Sequence, residues 1–366
     1  MRSANGLIIA APRSGSGKTL VTLGLLAALK RRGLAIAPAK TGPDYIDRAI
    51  LARVAGSEAV NLDPWAMQPD RLRTLATQHA TGADLLLIEG VMGLFDGAAD
   101  GTGSTADIAA TLKLPVVLVV DAEKQGQSIA ALISGFAHFR ADVEIAGIIV
   151  NRVATTRHER MLTAAITPLG IPVLGVLPRR ETLILPERHL GLVMPAEVAT
   201  FDGIVAAAAA AMEEFVDLNR LLALSSEIAS PKAISSPSLT PLGQRIAIAR
   251  DDAFSFLYPH ILRGWREQGA ELSFFSPLAN EHPAMDSDAV YVPGGYPELH
   301  GSAIASATDF HTGMQAARDR YALIYGECGG YMALGETLTD KAGTTHRMTG
   351  LLPISTGISR PRRTLG

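Results

Sequence analysis

The first two thirds of the chain alternate between short apolar runs and longer segments whose apolar residues have helical spacing. The first run, Leu7 to Ala11, is followed by a glycine-bearing loop and a periodic stretch from Val21 to Leu29. Near-continuous leucine and β-branched runs are typical of parallel strands that are covered on both faces. Five more such runs predict the rest of an open α/β sheet, at 34–37, 83–88, 116–120, 145–150 and 171–177.

A change of composition after an alanine-rich helix predicts a domain boundary. Residues 225–243 are rich in serine, proline and small side chains, which cannot bury enough apolar surface to fold alone. We therefore predict a first domain at 1–218, a linker at 219–243 and a second domain at 244–366. The second domain again has strand-like runs in an α/β pattern, at 245–249, 271–275, 289–292 and 321–325.

Composition and charge exclude several classes of protein. The chain of 366 residues has 33 Lys and Arg against 36 Asp and Glu, so no positive excess indicates binding to nucleic acid or to an acidic membrane. The apolar run from Ile204 to Met212 is too short to span a bilayer. The N-terminus has no signal-peptide architecture. We expect a cytoplasmic protein without a nucleic-acid or membrane partner, and a homodimer as its assembly.

A phosphate-binding loop lies between the first strand and the first helix. Its backbone N–H groups would cradle the β-phosphate of ATP, its lysine would neutralise the β and γ oxygens, and the hydroxyl that follows would reach Mg²⁺. Pro12 replaces the first glycine of the usual spacing. The predicted ATP ligands are Ser14, Gly15, Ser16, Gly17, Lys18 and Thr19, and Thr19 is also a predicted metal ligand.

Further polar residues follow the predicted strands, where open α/β sheets bind ligands. Glycine and proline mark a turn at 38–44 in which Asp44 would hold Mg²⁺ and Lys40 would face an anionic substrate; a solvated turn is the alternative. Glu89 directly follows a buried strand and is a predicted metal anchor. Asp96 would orient substrate, or is an ordinary exposed loop aspartate. Asn151 offers an amide that could bind an adenine edge.

Cys328 is the only cysteine in the chain and ends a strand in the sequence Gly-Glu-Cys-Gly-Gly. A sharp turn there would raise the thiol out of the sheet, as a nucleophile elbow does for serine; a buried structural thiol is the alternative. A second turn, Pro293-Gly294-Gly295, follows another strand. If the turns are adjacent, the N–H groups of Gly294, Gly295 and Gly329 form an oxyanion hole. The pair predicts a cysteine amidase that hydrolyses an amide through a thioester.

The chain resembles the cobyrinic and hydrogenobyrinic acid a,c-diamide synthases of cobalamin biosynthesis. The resemblance covers nearly the whole chain and rests on an ordered set of motifs: SGSGKT at 14–19, KTGPDYID at 40–47, NLD at 61–63, EGVMGLFDG at 89–97, LPERHLG at 185–191, PGGYPE at 293–298 and ECGGY at 327–331. The loop residues 13–16 are most similar to the aerobic-pathway type, whose substrate is hydrogenobyrinic acid.

The resemblance implies a P-loop domain similar to dethiobiotin synthetase, followed by a flavodoxin-like class I glutamine amidotransferase domain. It also implies the reaction. ATP phosphorylates the a and c carboxylates of a corrin, and ammonia from glutamine displaces phosphate to give two amides. Lys18, Thr19, Asp44 and Glu89 would then surround the meeting point of ATP and the acceptor carboxylate, and ammonia produced at Cys328 would have to stay unprotonated.

Two departures from the family pattern qualify these expectations. Residues 48–51 are Arg-Ala-Ile-Leu, where relatives commonly have proline and an aromatic-histidine pair, so local substrate contacts would differ. The family's catalytic histidine lies beyond a Leu-Gly-Tyr-Arg segment, whereas the sequence stops at Leu365-Gly366. His346 matches a non-catalytic part of the pattern. We therefore expect an incomplete amidotransferase domain, with amidation supported by ammonium but little by glutamine.

Two other functions are compatible with parts of the sequence. The same chemistry on another tetrapyrrole, such as nickel-sirohydrochlorin, would use the same motifs. A nucleotide-switched partition ATPase would have a similar loop and sheet and would need DNA or a partner surface. The second domain and the absence of basic bias argue against that non-enzyme alternative.

Overall fold

The chain folds into two compact units, Met1–Pro237 and Ser238–Gly366. A computed structural model describes residues 5–180, 187–188, 191–192, 201–229 and 239–358. Each unit has its own parallel sheet and its own hydrophobic core. The predicted position of His189 in the LPERHLG motif lies outside the described residues.

The first unit is built on a twisted sheet whose seven main strands are parallel, in the order β3-β2-β4-β1-β5-β6-β7. Its strands are β1 Asn5–Ala10, β2 Ile36–Thr41, β3 Val60–Leu62, β4 Leu85–Glu89, β5 Val116–Asp121, β6 Ile145–Val153, β7 Val173–Pro178, a two-stranded pair of β8 Glu187–Arg188 and β9 Gly191–Leu192, and β10 Ser226–Glu227, which pairs antiparallel with β1. Its helices are α1 Lys18–Arg31, α2 Tyr45–Ala55, α3 Pro69–His79, α4 Thr105–Leu112, α5 Ser128–His138, α6 Thr156–Ile166, α7 Phe201–Phe215 and α8 Leu218–Ala223.

The apolar runs predicted as strands form the centre of this sheet. Every residue of β2, β4 and β5 is buried, as expected for parallel strands covered by helices on both faces. All parallel strands end at one edge, so residues that directly follow them are brought together there. β1 lies in the middle of the strand order, where the direction in which successive strands are added reverses. It carries the phosphate-binding loop at that edge.

β2 continues further than the predicted turn allowed. Pro38, Lys40 and Thr41 lie in the strand and not in a turn. The strand tolerates Pro38 because β3 pairs with β2 only from Ala39 onward, and the carbonyl of Pro38 accepts a hydrogen bond from His79 Nε2 at 2.8 Å. Lys40 is consequently a buried residue near the carboxyl end of β2.

The segment predicted as a linker begins with folded structure. α8 lies at the start of this segment, and the two residues of β10 pair with the first two residues of β1. Asp217 caps α8 by accepting a hydrogen bond from Arg220 N at 2.9 Å. Composition alone missed these elements because both are short; α8 is stabilised by burying Leu218 and Leu221, and β10 by its pairing with β1. The separation between units falls after Pro237.

The second unit has a parallel sheet in the order β12-β11-β13-β14 and a smaller three-stranded sheet in the order β16-β15-β17. Its strands are β11 Arg245–Ala249, β12 Glu271–Phe275, β13 Ala289–Val292, β14 Leu323–Gly326, β15 Thr337–Thr339, β16 Thr345–Arg347 and β17 Ser355–Gly357. Its helices are α9 Pro259–Glu267, α10 Gly301–Ser306, α11 Thr308–Asp319 and α12 Gly329–Leu334. In the described part of the chain, no helix combines the length and apolarity needed to cross a membrane.

Candidate active site

The phosphate-binding loop adopts the conformation that its glycines permit. Gly15 and Gly17 have φ angles of 78° and 87°, in the region that favours glycine. Ser16 is buried and donates from Oγ to the carbonyl of Arg13 at 2.9 Å. α1 begins at Lys18, so the loop ends on a helix N-terminus, where backbone N–H groups favour an anion.

Glu89 is the centre of the polar cluster beside this loop. It is the last residue of β4 and is fully buried. Its Oε1 accepts three hydrogen bonds, from Thr19 Oγ1 at 2.6 Å, Lys40 Nζ at 3.0 Å and Lys18 Nζ at 3.2 Å. Its Oε2 is buried and has no hydrogen-bond partner among the described residues. That oxygen is therefore a buried acceptor whose hydrogen-bonding capacity is unused by the described residues.

Lys40 is held within the protein rather than presented to solvent. Its Cα is in register with that of Glu89 on the neighbouring strand, and the residue is 1% exposed. Besides Glu89, its ammonium donates to Asp47 Oδ2 and to the carbonyl of Gly90, the latter at 3.2 Å. An ammonium has three donors, so all of them are used. The expectation that Lys40 faces substrate directly requires one of these bonds to be exchanged.

Asp47 belongs to this cluster and was not singled out from the sequence. It lies in the first turn of α2 and is buried against Lys40. The available signal was its spacing of three residues from Asp44, which places both carboxylates on the first turn of one helix. Of the two carboxylates beside the buried Lys40, Glu89 accepts from both Lys18 and Lys40, so its removal is the change that would leave an uncompensated cation.

The cluster shifts the pKa values of its members. For Asp47, burial is the largest effect and raises its pKa to about 6, despite the nearby ammonium of Lys40. Burial would also raise the pKa of Glu89, but the positive charges of Lys40 and Lys18 outweigh it and lower that pKa to about 2. For Lys18, burial and the charge of Lys40 lower the pKa. For Lys40, burial disfavours the charged form and would lower the pKa, but the negative charges of Glu89 and Asp47 outweigh burial and raise the pKa.

These shifts give opposite dependences of stability on pH. The stability that Asp47 contributes is full below its unfolded pKa of 3.8 and is lost as the pH rises through its folded pKa of about 6. The stability that Glu89 contributes is full above its unfolded pKa of 4.5 and is lost as the pH falls towards its folded pKa of about 2. Between about pH 4 and 6 the Asp47 effect dominates.

We predict that Asp47→Asn removes this acid-range slope. In the wild type, ionisation of Asp47 should lower the free energy of unfolding of the first unit by about 3 kcal/mol between about pH 4 and 6; the variant, which cannot ionise there, should not show this loss. Hydrogen exchange of peptides from β2 and β4 measures it. Asp142→Asn, an exposed loop change, is the control. Equal slopes in wild type and Asp47→Asn would contradict the assignment.

Asp44 caps a helix at the same edge. Its Oδ1 accepts from the backbone N of Ile46 at 2.9 Å and of Asp47 at 3.0 Å, which satisfies two free N–H groups of α2. Asn61 fixes the preceding turn by donating from Nδ2 to the carbonyls of Gly42 at 2.8 Å and Asp44 at 3.0 Å. The predicted metal role of Asp44 would be additional to this capping role.

We predict that two substitutions separate the roles of Asp44. Asp44→Ala should destabilise the first unit by about 1 kcal/mol because the cap is lost. Asp44→Ser should retain most of that stability, since serine also caps, but should raise the Mg²⁺ concentration needed for ATP-dependent activity. Thermal unfolding and magnesium titrations measure the two effects. A serine variant with wild-type magnesium dependence would restrict Asp44 to capping.

Asp96 and Asn151 have local partners. Asp96 is exposed, and its Oδ2 accepts from the backbone N of Gly93 at 2.8 Å, which closes a turn; the structure does not bring it among the residues that line the cavity described next. Asn151 lines that cavity, but its Nδ2 donates to the carbonyl of Ser16 at 2.9 Å and its Oδ1 accepts from Arg152 N at 2.9 Å. Binding of an adenine edge by Asn151 remains a prediction.

A cavity of about 940 Å³ opens over the phosphate-binding loop. Its size suits a nucleotide with part of an acceptor. Thr19 and Asp44 lie in the cavity lining, whereas Glu89, whose Oε2 has no partner among the described residues, is fully buried and is not among the lining residues. Mg²⁺ usually takes one or two carboxylates and completes its shell with phosphate and water, so direct binding by Glu89 would require its side chain or that of Thr19 to move. Among the described residues no cluster of three or more acidic, His or Cys side chains could hold a metal alone. The lining includes Ser14, Gly15, Gly17, Lys18, Thr19, Lys40, Asp44, Asp47 and Asn151.

In the second unit, Cys328 lies on a strained turn between β14 and α12. It has a φ angle of 50°, in the left-handed region that side chains rarely adopt. The carbonyl of Glu327 accepts from Gly330 N at 2.8 Å, and Glu327 N donates to the carbonyl of Val292 at 3.2 Å. The thiol is exposed. This is the geometry predicted for a nucleophile elbow, and it disfavours the alternative of a buried structural thiol.

The two glycine turns are adjacent, as predicted. A Cβ added to Gly294 would stand 3.1 Å from Cys328 Cβ and 3.4 Å from Sγ, and one added to Gly329 would stand 2.9 Å from the carbonyl oxygen of Gly295. In the described range 239–358, the N–H groups of Gly295 and Gly329 donate to no backbone carbonyl. Both are therefore available to an oxyanion beside the thiol.

His346 has a structural position. It lies in β16, is 8% exposed, and its ring packs against Gly301, where an added Cβ would stand 2.7 Å from His346 Cγ. Its Nε2 is 2.9 Å from Asp340 Oδ2, and the hydrogen bond from His346 lowers the pKa of that aspartate. These contacts agree with the expectation that His346 is not the base for Cys328.

Family comparisons agree with both halves of the molecule. Residues 7–193 match the CobQ/CobB/MinD/ParA nucleotide binding domain, and residues 245–366 match the CobB/CobQ-like glutamine amidotransferase domain. These matches confirm the predicted α/β fold class, with a P-loop domain followed by an amidotransferase domain. Among solved structures, chloroplast FtsY from Physcomitrella patens aligns with a TM-score of 0.37 and 18% identity, over 57% of this chain and 66% of its own.

Several relatives named hydrogenobyrinate a,c-diamide synthase match over almost the whole of this chain. The Brucella abortus protein is 54% identical over 99% of this chain and 83% of its own length. The Sinorhizobium protein is 53% identical over 99% of this chain and 84% of its own length. The Agrobacterium fabrum protein is 47% identical over 100% of this chain and 84% of its own length. The predicted resemblance and enzyme class, a carbon-nitrogen ligase with glutamine as amido donor, are thereby confirmed. The chain belongs to the hydrogenobyrinate a,c-diamide synthase family of glutamine amidotransferases.

Proposed function

We propose that the protein uses ATP and glutamine to amidate the a and c carboxylates of hydrogenobyrinic acid through acyl phosphates, in cobalamin biosynthesis. The observation that carries the proposal is the cluster on Glu89, where Lys18, Thr19 and Lys40 converge on one buried carboxylate oxygen at the phosphate-binding loop. The names of the relatives support the substrate. The domain order supports the coupling of nucleotide use to amide transfer.

In the first half-reaction, the loop N–H groups and Lys18 hold the β- and γ-phosphates of ATP. A carboxylate oxygen of the corrin attacks the γ-phosphorus, the bond to the β-γ bridging oxygen breaks, and ADP leaves. Mg²⁺ bound by Thr19 and Glu89 would neutralise charge on the phosphates. Lys40 keeps Glu89 ionised and correctly placed, since its ammonium lies 3.0 Å from Oε1. The acyl phosphate that results is a far better acyl donor than the carboxylate.

In the second half-reaction, the Cys328 thiolate attacks the side-chain amide of glutamine. The negative oxygen of the tetrahedral intermediate would be stabilised by the N–H groups of Gly295 and Gly329, with Gly294 beside the sulfur. The proton lost by the thiol is returned to the leaving nitrogen, so collapse releases ammonia and leaves a thioester, which water hydrolyses to glutamate and the free thiol. The ammonia attacks the acyl phosphate carbon, and inorganic phosphate leaves. Each amide therefore consumes one ATP and one glutamine, or one free ammonia.

A panel of acceptors tests the substrate. We expect ATP-dependent formation of the a,c-diamide from hydrogenobyrinic acid with ammonium chloride as nitrogen donor, and less product from cobyrinic acid or nickel-sirohydrochlorin. Chromatography with mass spectrometry identifies the amides. Amidation of nickel-sirohydrochlorin alone would transfer the proposal to the alternative substrate. Folded protein that amidates none of the three but binds DNA on a filter would favour a partition-type ATPase.

The assembly and location of the protein stay predictions. We propose a homodimer in the cytoplasm with no nucleic-acid or membrane partner, in agreement with the formal net charge of −3. Light scattering at several protein concentrations measures the assembly directly.

A further inference from the structure

The two residues that follow the central part of β6 interrupt its pairing with β7. Val150 is in register with Val176, and the next pair is Val153 with Pro178. Two residues of β6, Asn151 and Arg152, therefore oppose one residue of β7, which is the arrangement of a β-bulge. Arg152 has a φ angle of 59°, in the left-handed region. Bulges are often found beside active sites, where they change the direction of a side chain.

The bulge directs two consecutive side chains to the same loop. Neighbouring residues of a regular strand point to opposite faces, but here Asn151 Nδ2 donates to the carbonyl of Ser16 at 2.9 Å and Arg152 Nη1 donates to the carbonyl of Gly15 at 2.9 Å. A side chain at Gly17 would collide with the Asn151 amide. The approach of the bulge to the phosphate-binding loop is therefore close, and glycine at this position permits it.

A buried carboxylate fixes the arginine from behind. Asp121, at the end of β5, is 5% exposed, and its Oδ2 accepts from Arg152 Nη1 at 2.8 Å. The same oxygen is 3.4 Å from Nη2 of Arg13, on the other side of the loop, while Oδ1 accepts from Glu123 N at 2.9 Å. Hydrogen bonds between ionised partners are the stronger kind, and this one is partly screened from water. Asp121 thus connects Arg152 to both sides of the loop.

The direction of the carbonyls determines the direction of the N–H groups. In a trans peptide the C=O of one residue and the N–H of the next point in opposite directions. Because the carbonyl of Gly15 points towards Arg152, the N–H of Ser16 points away from Arg152. Likewise, because the carbonyl of Ser16 points towards Asn151, the N–H of Gly17 points away from Asn151. Donors oriented in this way before the nucleotide arrives cost no reorganisation when a phosphate binds.

We propose that Arg152, anchored by Asp121, is a positioning residue that holds the phosphate-binding loop in its nucleotide-competent conformation. The inference rests on the proposed use of ATP and adds a role that the loop motif itself does not contain. The left-handed backbone supports it, because glycine would adopt that conformation with less strain. An arginine at this position is explained by its side chain, which reaches both Gly15 and Asp121.

The Arg152→Gly variant separates backbone strain from this role. It relieves the left-handed strain but also removes the closest cation of the buried Asp121, so its two effects on stability oppose each other; we expect a folded protein that binds AMP-PNP with magnesium at least about tenfold more weakly. Arg152→Lys should lose part of the affinity, because the lysine side chain is one atom shorter and its Nζ would not reach the position of Nη1, which donates to both Gly15 and Asp121. Calorimetric titration measures affinity, and thermal unfolding measures stability.

Each of the two substitutions of Arg152 has a matched control variant. Lys113 also has a left-handed φ angle, 54°, but lies at the end of α4 and not among the cavity-lining residues. Lys113→Gly should gain stability without a change in nucleotide affinity. Arg140 pairs with Asp107 and Asp142 away from that lining, and Arg140→Lys should leave the affinity unchanged.

Wild-type affinity in Arg152→Gly would overturn the inference and leave the proposed function intact. If Arg152→Gly does not fold, Asp121→Asn takes its place, since it releases the arginine without altering the β6 backbone. Weakened AMP-PNP binding by folded Asp121→Asn supports the role, and unchanged binding refutes it. A wild-type protein that binds no AMP-PNP would refute both the proposed function and the inference that rests on it.

Discussion

The Glu89→Gln variant is expected to lose at least about a hundredfold in ATP-dependent amidation rate, the loss typical when a main electrostatic group is removed from an active site. Oε1 of Glu89 accepts from Thr19, Lys18 and Lys40, and the residue is fully buried. Glutamine has nearly the same shape but no charge, so Lys18 and Lys40 would lose the anion that contacts both of them, with Asp47 and Asp44 left as the anions that act on Lys40. The carboxylate proposed to hold Mg²⁺ would also be absent.

The same change should lower the stability of the first unit. Removal of one partner from a buried ion cluster typically costs about 3 kcal/mol or more, because a buried cation is left uncompensated. Hydrogen exchange of peptides from β4 measures the stability, and ammonium-supported amidation measures the rate. Glu159→Gln, an exposed change in the first turn of α6, is the matched control. A Glu89→Gln enzyme with a wild-type rate would show that the cluster is structural only.

The second large effect is expected at Gly330. A Cβ at this position would overlap the carbonyl oxygen of Val292 and stand 2.6 Å from its carbon and 2.7 Å from the carbonyl oxygen of Pro293. All of these atoms are backbone atoms at the end of β13, so no side chain can move aside. We expect Gly330→Ala to destabilise the second unit by about 3 kcal/mol or more, as overpacking of a rigid site does, and to displace the Cys328 turn.

The two tryptophans allow the units to be followed separately. Trp265 is buried in the second unit, whereas Trp65 belongs to the first and is 70% exposed. In a Trp65→Phe background, the fluorescence of Trp265 reports unfolding of the second unit alone. The control is Gly135→Ala, an exposed helix position in the first unit with nothing within 4 Å of the added Cβ, which should leave the unfolding transition reported by Trp265 unchanged. Unchanged unfolding of Gly330→Ala would mean that the turn is more adaptable than its contacts indicate.

The parts of the molecule that depend on local pattern could be predicted from the sequence. The apolar runs became parallel strands, and the residues at their carboxyl ends met at one edge, because burial on both faces leaves little freedom in such a sheet. The phosphate-binding loop and the Cys328 turn were recognisable because glycine at fixed spacings is required by their backbone conformations. The capping role of Asp44 could also have been predicted, since it directly precedes a helix.

The parts that depend on tertiary contacts could not be predicted in this way. Lys40 was expected in a turn that faces an anionic substrate, with a solvated turn as the alternative, but β2 extends past Pro38 and buries it. Asp47 joins the cluster only because α2 places it over β2. In the sequence Val-Asn-Arg-Val, two adjacent polar residues break the alternation of an ordinary strand, but the pattern does not show that both side chains reach the phosphate-binding loop. In each case the deciding partner is distant in the chain.

Transfer of an oxygen atom from the acceptor carboxylate to phosphate is the most direct test of the proposed chemistry. Hydrogenobyrinic acid labelled with ¹⁸O in the a and c carboxylates would be amidated with ATP, magnesium and ammonium chloride, and the phosphate analysed by mass spectrometry. An acyl phosphate predicts one labelled oxygen in phosphate for each amide formed. Unlabelled phosphate from a reaction that makes the diamide would contradict phosphorylation of the carboxylate.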